Sequence, residues 1–282
     1  MALELPSSLS PSKVSSFTEC ALAFRFSAID RLPEPPSAPA TKGTLVHAAL
    51  ERLFCLAPHE RTLPAALTAL DDAFEALRTE PDYADLHLAD DAELAFLDDA
   101  EQLVRKYFQI EDPQTIHPVG LELMLEVPLE SLRLRGIIDR LEIDEQGRFV
   151  VTDYKTGRVP HETQERSRLG GVHFYAFLLE QILGQRPAKV QLLYLSEPVM
   201  ITTIPTEQSV RALERKVRAV WSAIERACEH DNFKPKPSRL CDWCAFRSLC
   251  PAFGGNPTDL DDFRRSALAD QPQVPLPLAS AG

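Results

Sequence analysis

Apolar side chains fall on every second position of Gly120-Leu-Glu-Leu-Met-Leu-Glu-Val-Pro-Leu129. Leu121, Leu123, Leu125 and Val127 keep the two-residue period of a strand with one buried face. A second alternating pattern follows on both sides of Asp144-Glu-Gln-Gly147, which suits a three-residue hairpin loop with Gly147 in the left-handed position. Such a loop pairs Asp144 with Arg148, and therefore Leu141 with Val151, Ile143 with Phe149 and Asp139 with Asp153. One face of this hairpin is apolar and ends in Asp139, Asp153 and Lys155, while the other carries Arg140, Glu142, Thr152 and Tyr154. A shift of one residue would mix the two faces, so the pattern itself selects the register. Lys189-Val-Gln-Leu-Leu-Tyr-Leu195 reads as a further strand.

Helical spacing governs most of the rest. Leu67, Leu70, Phe74 and Leu77 recur at helical intervals, so residues 62–110 should hold two or more helices. Leu169 to Leu183 and the amphipathic Val210 to His230 read as two more. Ser10 as cap and Pro11 at the first helical position open a short helix that delivers Cys20. Arg31 to Ala40 is proline-rich and is expected to be an extended connector into the helix bearing His47. These elements make residues 1–253 one α/β domain with a helical insertion at about 60–112, followed by a flexible tail at 254–282.

The hairpin also carries chemistry. Two carboxylates and an amine on one face can hold Mg2+ or Mn2+ beside a phosphate, where the metal polarises the phosphate and activates a bound water. Lys155 would then position that water and offset developing charge; the plainer alternative is a surface hairpin with a salt bridge. Leu50 and Phe54 lie three and seven residues after His47, which turns its imidazole inward and makes it a further candidate ligand. Glu51, one turn later, could orient it. Glu122 lies on the other face of its strand and is at most a marginal acidic contact.

Of six cysteines, four fall as Cys20 and Cys241-x2-Cys244-x5-Cys250. One distant thiol plus a C-terminal trio suits four-thiolate iron–sulfur ligation. Zinc and unligated thiols are the alternatives, although zinc more often joins two close pairs. The absence of a basic region before an apolar core at the N-terminus, and of any apolar run long enough for a bilayer, leads us to expect a cytoplasmic protein without a membrane partner. With 44% hydrophobic and 26% charged residues among 282, the chain can build a substantial core.

A net charge of -12 argues against polyanion binding, but its distribution is uneven. Residues 153–250 hold 15 Lys and Arg against 11 Asp and Glu, and the remainder holds 15 against 31. A nucleic-acid path is therefore expected across the C-terminal half, past residues such as Arg158, Arg166 and Arg168.

Taken in order, Cys20, Gly43-Thr-Leu-Val-His47, Gly136-Ile-Ile-Asp139-Arg, Asp153-Tyr-Lys155-Thr-Gly157, Tyr175 and the C-terminal cysteines resemble the RecB-like branch of the PD-(D/E)XK nuclease superfamily. Within it, the chain is most similar to the iron–sulfur members, which include the AddB nuclease domain and CRISPR-adaptation exonucleases. The resemblance implies a restriction-endonuclease-like central mixed sheet flanked by helices, with a 4Fe-4S cluster joining the two ends of the domain. It implies a DNA exonuclease with Asp139, Asp153 and Lys155 catalytic and His47, Asp139, Asp153 and the Tyr154 backbone carbonyl holding Mg2+ or Mn2+. Cys20, Cys241, Cys244 and Cys250 would hold the cluster, and Tyr175, Arg158 and Arg168 would contact single-stranded DNA or DNA ends. Gly171 stands where the family often has glutamine, and His173 or Gln164 are conceivable substitutes. That departure keeps a second reading open, a poorly cleaving DNA-binding or assembly module of a helicase–nuclease or CRISPR-adaptation complex. No G-x4-GK(S/T) loop occurs, so ATP-driven unwinding would require a helicase partner.

Overall fold

The hairpin forms in the expected register: Leu141 faces Val151, Ile143 faces Phe149, and Arg140 faces Thr152. The Asp144 amide donates to the Arg148 carbonyl at 2.9 Å, and Gly147 adopts φ +74°, which costs a glycine little. The computed structural model describes residues 3–159 and 162–269, and for 162–170, 172 and 266–269 it describes the backbone alone.

Five strands build one sheet in sequence order: β1 (Pro118–Leu129), β2 (Leu132–Ile143), β3 (Phe149–Lys155), β4 (Lys189–Tyr194) and β5 (Val199–Thr203). β3 and β4 pair parallel and the other neighbours antiparallel, which makes the sheet mixed. The edge strand β5 has no counterpart in the sequence reading, because its mostly exposed or half-buried residues leave too weak an alternation to detect.

The helices are α1 (Pro11–Glu19), α2 (Ala21–Phe24), α3 (Ala38–Phe54), α4 (Leu63–Leu77), α5 (Pro81–Ala84), α6 (Asp90–Tyr107), α7 (Glu162–Leu183), α8 (Glu207–His230) and α9 (Leu260–Ala269). Ser10 caps α1 by accepting from the Lys13 amide at 3.3 Å, with Pro11 at the first position. The connector expected to run to Ala40 ends at Ser37, which caps α3 by accepting from the Ala40 amide. Pro39 is tolerated there because amides of the first turn need no helical acceptor.

Two helical layers cover the sheet. On one face, Phe174, Phe177, Val217 and Trp221 of α7 and α8 pack with Leu134, Ile138, Leu141, Val151 and Leu192. On the other, Leu50, Leu53, Phe74, Phe96 and Tyr107 of α3, α4 and α6 pack with Tyr154, Leu193 and Leu195. The helical region expected at about 60–112 supplies α4 and α6 of this second layer, beside α3. Its packing also buries the polar face of the hairpin. Arg140 is fully buried there, paired with both carboxylate oxygens of Glu111, and donates to Tyr154 Oη at 3.0 Å and Thr152 Oγ1 at 3.2 Å. Its guanidinium lies 4.7 Å from the centre of the Phe54 ring.

The stretch expected to be a tail from residue 254 begins with a packed element. Phe263 of α9 lies 5.9 Å from Phe246 between ring centres, and Arg264 donates to the Asp30 carbonyl at 2.9 Å. Residues 270–282 lie outside the described residues.

Candidate metal-dependent active site

Both β1 and β2 change faces at one place. In β1, the methyl group of an alanine at Gly120 would meet Leu141, while Leu121 packs toward α3 and α6, and Leu123, Leu125 and Val127 pack toward α7 and α8. In β2, Ile138 and Leu141 lie in the same core although they stand three positions apart, which in a regular strand puts side chains on opposite faces. The switch falls between the flanking pairs Leu121–Arg140 and Leu123–Ile138, where Glu122 stands across from Asp139. Glu122 makes the turnover possible with φ +44°, a left-handed conformation uncommon for a residue with a side chain. The single-face alternation expected for β1 therefore breaks at Glu122, and its carboxylate turns into the site instead of away from it.

α3 brings His47 to the same point. Its Nδ1 lies 3.6 Å from Asp139 Oδ2 and 4.0 Å from Glu122 Oε1, and donor atoms of all three residues lie within 4.8 Å of one another. The Tyr154 amide donates to Asp139 Oδ2 at 2.6 Å, and the Tyr154 ring meets the imidazole edge-on. A strand residue directs its amide and carbonyl to the same edge, so the Tyr154 carbonyl also faces β2 and the Asp139 side. Asp153, on the neighbouring strand, pairs with Lys155 and accepts from Tyr175 Oη of α7 at 3.3 Å. Gly136 lets α7 approach, since an added methyl group would sit 3.0 Å from Leu178 and 3.2 Å from Tyr175.

Crowded carboxylates set the electrostatics. Burial, and then the neighbouring Asp153 carboxylate, push the Asp139 carboxyl up to about 8. Burial, and next Glu51 and Asp153, raise Glu122. Burial lowers His47, outweighing the upward pull of Asp153, and keeps its imidazole neutral and able to ligate. Burial pulls Lys155 down, but Asp153 and then Asp139 more than compensate, so its ammonium stays charged. Buried, mutually repelling carboxylates beside a neutral imidazole form a donor set that a divalent cation would satisfy.

Glu122, Asp139, Lys155, Gly171 and Tyr175 open onto a cleft of about 1040 Å³. Gly171 thus stands on the cleft wall and contributes no side chain, with Pro11 of α1 at 4.0 Å from where a Cβ would sit. His173 does not line the cleft. Arg158 is exposed beyond β3 and also lies off the lining, while the side chains of Gln164, Arg166 and Arg168 lie outside those described.

A second cavity gathers all four expected cysteines. Cys20, Cys241, Cys244 and Cys250 line it together with Leu22, Phe26 and Phe246. Burial raises Cys244, partly offset by the Phe246 amide, and the nearby Cys20, Cys241 and Cys250 raise it further. Lys236 ties this loop to α1 by donating to the Thr18 carbonyl at 3.1 Å. Cys55 is exposed, and Cys228 of α8 is buried in the core between the helices and the sheet rather than in this cavity.

Residues 8–251 match the sequence model of the PD-(D/E)XK nuclease superfamily. Among solved structures, the chain is similar to a "putative exonuclease" from Eubacterium rectale at a TM-score of 0.57 and 13% identity, covering 84% of this chain and 87% of that one. SSO0001 overlaps at a TM-score of 0.43 and 13% identity, over 89% and 88% of the two chains. No curated protein matches the sequence significantly.

Proposed function

The chain belongs to the PD-(D/E)XK nuclease superfamily, and from that premise we propose that it is a metal-dependent DNA exonuclease acting on single strands or ends in repair or recombination. The observation that carries the proposal is the convergence of His47, Glu122 and Asp139 beside the Asp153–Lys155 pair, of which Glu122, Asp139 and Lys155 line one cleft. Oxygen and imidazole donors suit Mg2+ or Mn2+, which would be held by His47, Asp139, Asp153 and the Tyr154 carbonyl, with Glu122 as a further donor. Such a metal supplies Lewis-acid polarisation of the phosphodiester and a more acidic water.

The chain's own groups do the rest. Lys155 is charged, so it acts as a cation facing the phosphate and not as a base; it offsets the charge that builds as the bond to phosphorus forms. Tyr175 and Lys155 fix the Asp153 carboxylate from two sides, and the Tyr154 amide fixes Asp139. Gly171 favours one second reading, a poorly cleaving DNA-binding or assembly module, because the cleft wall lacks a polar side chain there.

The four-thiol cavity belongs to the same proposal as a 4Fe-4S site joining α1 to the C-terminal loops. Sulfurs around a single zinc lie about 3.8 Å apart when each bond is about 2.3 Å. Among the described residues no three of the thiols lie within 4.8 Å of one another, and what supports the cluster is that all four line one cavity. Protein purified without oxygen should absorb visible light, and Cys241→Ser should abolish the absorption; stoichiometric zinc without absorption would overturn the cluster. Labelled DNA blocked at one end or the other tests exonuclease action, which requires release from one free end only. Cleavage of closed circular single strands would refute it.

A further inference from the structure

The cleft has a cationic wall that the catalytic groups do not use. α1 and the segment before it form one side of the cleft, with Ser8, Ser10, Ser12 and Lys13 lining it, and Arg135 of β2 adjoins them. The geometry holding these residues is built into the sheet. Leu9 bridges to Leu134, accepting from the Arg135 amide at 3.0 Å and donating to the Arg133 carbonyl at 2.8 Å, so the segment runs beside β2 where β3 does not reach. Lys13 donates to the Ser8 carbonyl at 3.0 Å, which leaves the remaining ammonium protons free for another acceptor. Among the described residues neither Lys13 nor Arg135 has a carboxylate partner, in a protein with 42 acidic residues. Burial, and then the nearby Arg135 and Arg31, lower Lys13.

We infer that Lys13 and Arg135, with the serine hydroxyls of the α1 wall, bind successive phosphates of a single nucleic-acid strand and lead it to the carboxylates on the cleft floor. This rests on the nuclease reading of that floor. Glu19, Glu122 and Asp139 also line the cleft, so an incoming polyanion meets repulsion there that a bound cation relieves, while Lys13 and Arg135 attract it from the wall. Among the described residues α7 adds only Gly171, without a side chain, and Tyr175 to the lining, so α1 and the segment before it supply more of its polar groups. The path differs from the C-terminal one expected from charge alone, because Lys13 and Arg135 lie in the part of the sequence with an acidic surplus.

Binding of a labelled single-stranded oligonucleotide, followed by fluorescence anisotropy in EDTA and in Ca2+ over a salt series, tests this apart from cleavage. Lys13→Gln with Arg135→Gln should weaken binding on the order of tenfold and flatten the slope of log K against log salt by about 1.4, at about 0.7 per single-strand phosphate contact. The equally charge-reduced Arg78→Gln with Arg148→Gln, neither of which lines the cleft, should bind like wild type, and circular dichroism of both pairs should match it. Unchanged affinity and slope in the Lys13 and Arg135 pair, or wild type that fails to bind in either medium, overturns the inference. Because cleavage is not read, a protein that binds through these residues but never cuts DNA refutes the nuclease reading alone.

Discussion

Glu122 holds a conformation that its side chain disfavours, at the point where two strands exchange faces and its carboxylate joins His47 and Asp139. Strain at a non-glycine residue costs on the order of 1–3 kcal/mol and persists where function or packing requires it. Glu122→Gly should therefore leave thermal stability within about 1 kcal/mol of wild type, since relief of strain offsets the extra freedom of glycine when unfolded. Its Mn2+ affinity, measured by calorimetry, should nevertheless fall at least tenfold, as for losses around metal sites generally. Equal affinity would remove Glu122 from the donor set. His47, Asp139, Asp153 and Lys155 were legible in the sequence because alternation and helical spacing specify which way a side chain points. Glu122 was not, because the alternation of Leu121, Leu123 and Leu125 runs straight through a reversal that only the backbone reveals. A carboxylate inside an otherwise leucine-rich strand, in register with Asp139, was the available signal.

At the level of elements, the hairpin register was fully legible, since Gly147 and the apolar pairs admit one alignment. The role of its second face was not. Arg140, Thr152 and Tyr154 read as polar, yet helices distant in sequence bury them, and only tertiary packing reveals that Arg140 meets Glu111. Removing one partner of a buried pair leaves the other charge unpaired, so Arg140→Ala should destabilise the protein by about 3–5 kcal/mol in urea unfolding. Arg140→Met combined with Glu111→Leu should recover most of that loss. A double variant as unstable as the single would mean that the pair matters through more than its charge balance. Edge strand β5 was missed because its exposed residues carry little of the periodicity by which buried elements announce themselves, whereas α9, with Leu260 and Phe263 against the core, was missed because it was read together with the polar and proline-rich sequence around it.

Across the whole molecule, two helical layers hold one mixed sheet, and the candidate site lies where β1, β2 and β3 meet α3 and α7. α1 links the two candidate centres, since its start lines the cleft and Cys20, just past its end, lines the thiol cavity. Net charge says little about the cleft, whose lining sets Lys13, Arg135 and Lys155 beside Glu19, Glu122 and Asp139 inside an acidic chain. Nucleotide release from labelled single-stranded DNA, by wild type and by Lys155→Ala purified without oxygen and supplied with Mn2+, tests the central claim most directly. Wild type should release nucleotides and Lys155→Ala should be slower on the order of a hundredfold or more, with similar folding and metal affinity. Equal release by the two proteins, or none by either, would contradict a nuclease centred on Asp139, Asp153 and Lys155.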